Sequence, residues 1–582
     1  VNVFKRIREH RIAHYAGRTG AILVALVGAA LVVLVTVDLG PWLKPLAERR
    51  GSQYLDRELA IGSLKINLFQ GRIVVHDLRI GGLHRGDRPF FTAKSLSLTL
   101  DWLPAFALRP NFTVSSVEMT DWQMLVEKWE NQHSFPRFTR NNPSSGPRPF
   151  TTTMKLLRAD RGQFVYEDHE LPWSVICRDL AINIGNSPNY HGTATFTGGT
   201  VAIQDYLPMS ASMKAQFTLD GPLIKLSRVD LESDGAVSVA SGEVDGAHWP
   251  EQTYQVDSRV HFARMREIFF KNEPWPLKGD GNFKGVFHLF NGGRDLTGTF
   301  TSDELGVYDY RFPSLRGALH WTPKAFDVTD GGAKFQGGDA RFAYSIQPLG
   351  SKTRPTSRFE FDLAGADLQR LSDFQQLRGM RFAGSANWHN VFEWPLGRFA
   401  EHRGEGHLIV SPPPGIVPMA PTLTAVDAAD AGHDRHEWGP FAPLPLPSYL
   451  PIAGDITYSY GPDDVTFEPS RFVTERTHVT FQGTTAYGDR SQLSFHVTSR
   501  DWQESDQLLA GLMTDFGVKT GPVTFGGRGE FDGVMTGAFR RPLVEGEFRG
   551  ADLRGFDAVW GAATGHIAIQ NSYVTVKDAM VR

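Results

Sequence analysis

Two imidazoles and two carboxylates fall within five residues at His433-Asp-Arg-His-Glu437, the densest set of metal-ligating side chains in the chain. A catalytic zinc site on a helix needs both histidines one turn apart with a glutamate between them, in the order HExxH. That order is missing here, and the segment lies in a proline-rich stretch, so it reads as a solvated loop. Cys177 is the only cysteine in 582 residues, which excludes an intramolecular disulfide, a thiolate metal cluster and a CxxC redox pair. It reads as a small buried hydrophobe. The sequence contains no GxSxG elbow and no phosphate-binding loop of the Walker type, and Gly292-Gly293 and Gly331-Gly332 read as turns. The reading is of a protein that is not an enzyme and needs no metal or cofactor.

A different chemistry recurs along the whole chain. In Lys94-Ser-Leu-Ser-Leu-Thr-Leu100 the side chains of Leu96, Leu98 and Leu100 alternate with hydroxyls. The same period of two appears at Leu64/Ile66/Leu68, Met213/Phe217/Leu219, Phe359/Phe361/Leu363, Ile456/Tyr458/Tyr460, Leu493/Phe495/Val497 and Ile567/Ile569. Strict alternation marks a strand with one apolar and one wet face. Such faces bind apolar chains or pack into a sandwich core, and the residues do not choose between the two. The candidate lining positions are Leu96, Leu98, Leu100, Phe217, Leu219, Phe359, Phe361, Leu363, Leu493, Phe495 and Val497.

These residues are positioned by many short strands and tight turns, as 59 glycines and 40 phenylalanines suggest. Beyond residue 60 no long amphipathic helix and no βαβ spacing is evident, so the fold class is mainly β. Three segments share a pattern of strand running into a short helical turn: Ser258–Phe269, Phe359–Leu371 and Leu493–Leu508. Each is followed by a glycine-punctuated strand, at Gly279–Gly285, Phe382–Trp388 and Phe525–Phe531. Repetition of one unit predicts an elongated stack in which each unit covers its neighbour's apolar face. Ten prolines between Ser411 and Pro451 mark an insertion that cannot be sheet interior.

The front of the chain is different. Ala21 to Val37 is a run of 17 residues without a charge, preceded by Lys5, Arg6, Arg8, Arg11 and Arg18 against one acid, Glu9. At ~1.5 Å per residue the run spans roughly 26 Å, close to a bilayer core. The expectation is a single-pass transmembrane helix over 19–42, with Ala21, Leu26, Leu31 and Val37 in the membrane and Trp42 at its interface. The basic excess places residues 1–18 in the cytoplasm and the body outside it. Leu43, Leu46, Leu55 and Leu59 fit one face of a helix leading off the membrane. With net charge −4 overall and five basic residues against one acid in the first 18, the rest stands at −8, which disfavours nucleic acid. The end at Val574–Arg582 falls inside a strand pattern, the expected mark of an incomplete C-terminal portion.

The order of features over 19–130 resembles the AsmA-like family of bacterial envelope proteins. An anchor is followed by Tyr54-Leu-Asp-Arg-Glu-Leu-Ala-Ile-Gly-Ser-Leu64, Gly71-Arg-Ile-Val-Val-His-Asp-Leu-Arg-Ile80, the Leu96/Leu98/Leu100 strand with Asp101-Trp-Leu103, and Val114-Ser-Ser-Val-Glu-Met119. More loosely, Gly529–Gly537, Pro542–Gly546 and Gly550–Leu553 resemble repeats of the wider group that includes the TamB translocation and assembly proteins. The resemblance implies an inner-membrane anchor and a U-shaped, open antiparallel β-groove in the periplasm with an apolar interior. It also implies carriage of phospholipid toward the outer membrane, with an outer-membrane or envelope protein as possible partner. The alternative it implies is an assembly factor that templates strands of outer-membrane proteins; a third reading is a passive tether. On this reading the chain divides into a basic segment (1–18), the anchor (19–42), an N-terminal module (43–130), the groove (131–410 and 452–582) and the proline-rich insertion (411–451). The loop 131–149 is a candidate protein contact.

Overall fold

A computed structural model describes residues 38–67, 70–101, 111–130, 132–135, 151–170, 173–186, 189–203, 206–377, 381–423, 449–515, 525–555, 558–570 and 573–582. Strands hold 69% of the described residues, which settles the class as mainly β. Twenty-nine of the strands belong to one mixed sheet that does not close on itself. The chain divides into two compact units. One comprises residues 1–260, 267–269 and 284–295, the other 261–266, 270–283 and 296–582.

The expectation of a purely antiparallel sheet needs one correction. In the first unit Asn111–Trp129 and Thr151–Asp168 run parallel, from Asn111 opposite Thr151 to Lys128 opposite Asp168. A hairpin reverses direction, whereas parallel neighbours need a crossover of a dozen or more residues, and the chain between Trp129 and Thr151 is long enough to supply one. Most other neighbours in the sheet are antiparallel meanders of consecutive strands, for example Arg72–Ile80 against Phe91–Asp101 and Met209–Asp220 against Leu223–Ser233.

The membrane anchor also needs correction. Residues 19–37, with Ala21, Leu26, Leu31 and Val37, lie outside the described residues. Among the described residues no helix is long and apolar enough to cross a membrane. Placement as a single-pass inner-membrane protein, N-terminus cytoplasmic and body periplasmic, is therefore not supported by the described residues. The described part of the 19–42 segment belongs to another element. Helix α1 (Gly40–Leu55) opens with Pro41 in its first turn and has 16 residues that include Lys44, Glu48, Arg49 and Arg50. Trp42 stands 86% exposed on it.

Helix α1 lies against the first strand, Leu59–Asn67, whose other side pairs with Arg72–Ile80. The backbone N–H groups of Leu59, Ile61 and Ile66 donate to Ser52 Oγ (2.9 Å), Glu48 Oε1 (2.8 Å) and Asp38 Oδ1 (2.8 Å). Lys44 Nζ donates to the carbonyl of Gly62 (3.0 Å). Polar side chains thus satisfy backbone groups that an edge strand would otherwise present to a second chain. The helix stops at Leu55 because Asp56 adopts a left-handed conformation, so Leu59 starts the strand and does not extend the helical face.

Each of the three strand-then-turn segments contains a helix. Gln252–His261 is followed by α2 (Phe262–Phe269), Thr356–Asp367 by α3 (Leu368–Phe374), and Ser491–Ser499 by α4 (Trp502–Asp515). The start of α3 is fixed by Asp367, whose carboxylate accepts from the backbone N–H groups of Gln369 and Arg370. The last helix is longer than a turn and places Trp502 against Phe531, Phe548 and Leu553. The described ends of the proline-rich insertion lie on the second unit. Leu450–Pro451 pairs in parallel with Phe382–Ala383, Met419 N–H donates to the Thr474 carbonyl, and Thr498 Oγ1 donates to the Pro421 carbonyl.

Candidate functional site: an apolar sheet face

Residues directly opposite one another in neighbouring strands share a face, so the registers trace each face from strand to strand. In the second unit Tyr344 faces Phe359 and Phe342 faces Phe361. Phe359 then faces Phe392, Phe361 faces Asn390 and Leu363 faces Trp388. The series passes through Gly404 and Gly406 to Tyr460 and Tyr458, and on to Phe467. Further along, Phe481 faces Phe495, Val497 faces Phe531, and Phe531 faces Phe548. The rings touch along this line: Phe359–Phe392 at 5.5 Å, Phe361–Trp388 at 4.9 Å and Phe495–Phe531 at 5.7 Å between centroids.

The intervening side chains face the other way, and many of them are charged. Arg358, Glu360 and Asp362 alternate with Phe359 and Phe361. On that face His389 bonds Asp362 (2.7 Å), His407 bonds Asp455 (2.8 Å) and His496 bonds Asp532 (2.6 Å). One face of the second unit is therefore aromatic and aliphatic, and the other is wet.

The first unit repeats the arrangement with smaller side chains. Leu96 faces Val75 and Met119, Leu98 faces Ile73 and Val117, and Leu100 faces Val114. Val117 faces Leu157, then Ile184, Gly192 and Phe217 in succession. Phe217 faces Leu226 and Leu219 faces Ile224.

The eleven predicted lining positions thus fall on these faces, Leu96, Leu98, Leu100, Phe217 and Leu219 in the first unit and Phe359, Phe361, Leu363, Leu493, Phe495 and Val497 in the second. Ten are half-buried. Leu363 is the exception, sealed with Ala366 and Ala386 in a small core. Half-burial is the state of a side chain whose flanks are covered by its strand neighbours and whose tip is not. By contrast, Trp122, Val126, Ala159 and Phe196 in the first unit form a closed core with Cys177, whose thiol burial pushes up to about 11. That thiol is neutral and inert at physiological pH.

A polar network interrupts the aromatic face of the second unit. Trp388 Nε1–H donates to the Tyr458 hydroxyl (2.7 Å), Tyr458 donates to Asn390 Oδ1 (2.9 Å), and Asn390 Nδ2 donates to the Tyr460 hydroxyl (3.1 Å). Asn390 is only 3% exposed. Glycine makes this reach possible. A Cβ on Gly406 would stand 2.4 Å from the Tyr458 oxygen, and one on Gly404 would stand 2.8 Å from the Tyr460 ring. Burial holds both tyrosines up, Tyr458 at about 12.

A second set of polar residues, unexpected from the sequence, closes the end of the parallel pair. Arg88 bonds both Glu127 and Glu167, and Lys128 Nζ bonds Asp168 (3.3 Å) and Glu170 (2.8 Å). Burial pulls Lys128 down, but Glu170 and Asp168 outweigh it and its pKa is raised. His169 Nε2 lies 3.2 Å from Glu127 Oε1 and stacks on Trp129. Ligand atoms of Glu127, Glu167 and His169 lie within 4.8 Å of one another, as a metal would require. The Arg88 guanidinium already bonds both carboxylates, so the set works as an ion network that ties the loop carrying Arg88 to the two parallel strands. The predicted metal-like cluster at His433–Glu437, and most of the 131–149 loop, lie outside the described residues. No family model matches this chain, and neither does any curated protein.

Proposed function

We propose that the chain carries lipid acyl chains along the apolar face of its sheet. A single observation supports this reading: in each unit the registers hold apolar side chains on one face from strand to strand, and most of the predicted lining side chains among them are left half-buried. Moving an acyl chain through water exposes methylenes at ~0.8 kcal/mol each, or on the order of 12 kcal/mol for one chain of about 16 carbons. An apolar face on each unit lowers that barrier along its length, and a sheet that does not close leaves the headgroup in solvent. The feature order that resembles the AsmA-like family points the same way.

The test is native mass spectrometry with lipid extraction on the full chain purified from a bacterial host, beside a Phe361→Asp/Phe495→Asp variant. Several phospholipids per wild-type chain, and fewer on a variant with unchanged circular dichroism, are expected. A folded wild-type chain without lipid would overturn the reading and favour strand templating by the sheet.

A further inference from the structure

The polar network in the aromatic face runs in one direction. An indole N–H only donates, so the Tyr458 oxygen accepts from Trp388, and its own O–H donates to Asn390 Oδ1. The NH₂ end of the amide faces Tyr460, which accepts at 3.1 Å. Tyr460 therefore keeps its O–H proton for an acceptor outside the network. A hydroxyl that already accepts a hydrogen bond is polarised into a better donor.

We infer that Tyr460 is a docking point for the ester carbonyl of an acyl lipid, a neutral acceptor presented to a directed donor within an apolar face. The inference rests on the acyl-chain reading and adds to it a preferred ligand class. A neutral acceptor is favoured because the charged neighbours Arg403 and Glu405 alternate with Gly404 and Gly406 and belong to the opposite face. What surrounds the hydroxyl on its own face is aromatic: Tyr458 stacks at 5.9 Å and the His402 ring lies edge-on at 5.8 Å. Among these rings only the His402 imidazole could offset a phosphate's charge, whereas an ester oxygen needs only the hydrogen bond. Gly404 and Gly406 keep the middle strand bare, so the tyrosine side chains cross it to reach Trp388 and Asn390.

The experiment compares two probes on the full chain: dipalmitoyl phosphatidylcholine and its dihexadecyl ether analogue, which has the same chains and headgroup without carbonyls. Wild type is expected to retain the ester lipid about three- to ten-fold better, the share one neutral hydrogen bond supplies. Tyr460→Phe is expected to bind the two equally, at the level of the ether lipid. Infrared spectra of carbonyl-labelled ester lipid should show a hydrogen-bonded band in wild type that is lost in the variant. Equal retention of both probes by wild type would overturn the docking point while leaving acyl-chain carriage intact. Retention of neither would overturn the carriage reading itself. An ester preference that persists in Tyr460→Phe would overturn the role of this residue.

Discussion

At the scale of single residues, what decides this fold is less which side chains are apolar than where a side chain is missing. Gly406 sits between Asn390 and Tyr458, and an added Cβ would also lie 2.7 Å from Asn390 Oδ1. Gly406→Ala must displace a buried hydrogen-bonded pair, so it is expected to cost ~1–3 kcal/mol, seen as a lower denaturation midpoint at unchanged slope. Gly488 has open space around it, and Gly488→Ala should stay within about 0.5 kcal/mol of wild type. His478 gives the pH dependence. It is 5% exposed and its Nδ1 lacks a partner. Burial, then Arg471 and His496, lower its pKa, so the unfolded chain binds the proton more readily than the folded one. Stability from this group is fully present above the unfolded value of about 6.5 and drains away as the pH falls below it. Thermal melts from pH 8 to pH 5 should show that loss in wild type, and His478→Gln should flatten it.

At the scale of elements, the edge of the sheet carries the next expectation. The amides of Ile61 and Ile66 have acceptors only because Glu48 and Asp38 reach them from α1 and the residues before it. The hydrogen bonds from Ile66 and Gly40 hold the Asp38 carboxyl below its ordinary range. Asp38→Ala/Glu48→Ala should therefore speed hydrogen exchange at these two amides and promote association through the bared edge, read by light scattering. Unchanged exchange at both would mean that packing, not these bonds, protects the strand. The elements also show what the sequence made legible. Alternation at Leu96–Leu100 and Phe359–Leu363 located strands and their apolar faces, because the period of two is a local property of the backbone. The helices after Gln252–His261, Thr356–Asp367 and Ser491–Ser499 were legible for the same reason. The parallel pairing of Asn111–Trp129 with Thr151–Asp168 was not, since nothing local separates a crossover from a long hairpin loop. Nor was the Trp388–Tyr458–Asn390–Tyr460 network, whose members lie about 70 residues apart and meet only through register. The one signal was Asn390 standing in an apolar slot beside the alternating Gly404 and Gly406.

At the scale of the whole molecule, a half-buried apolar face in each unit is a thermodynamic load that a soluble protein rarely carries without an occupant. Water must solvate the tips of Phe359, Phe392, Phe495 and their neighbours whenever nothing covers them. Two linked effects follow. Stripping the purified chain with mild organic solvent should raise its binding of an apolar fluorescent dye, and adding back a diacyl phospholipid should displace the dye. The same lipid should raise the melting temperature, because a ligand that binds only the folded state stabilises it by RT ln(1 + [L]/Kd), about 2.7 kcal/mol at a hundredfold excess over Kd. The two readouts separate acyl-chain carriage from a sandwich core. If these faces pack away as ordinary core, dye binding stays low in the stripped protein and lipid leaves the melt unchanged. If they are the path of an acyl chain, both respond together, and Phe361→Asp/Phe495→Asp weakens both in proportion.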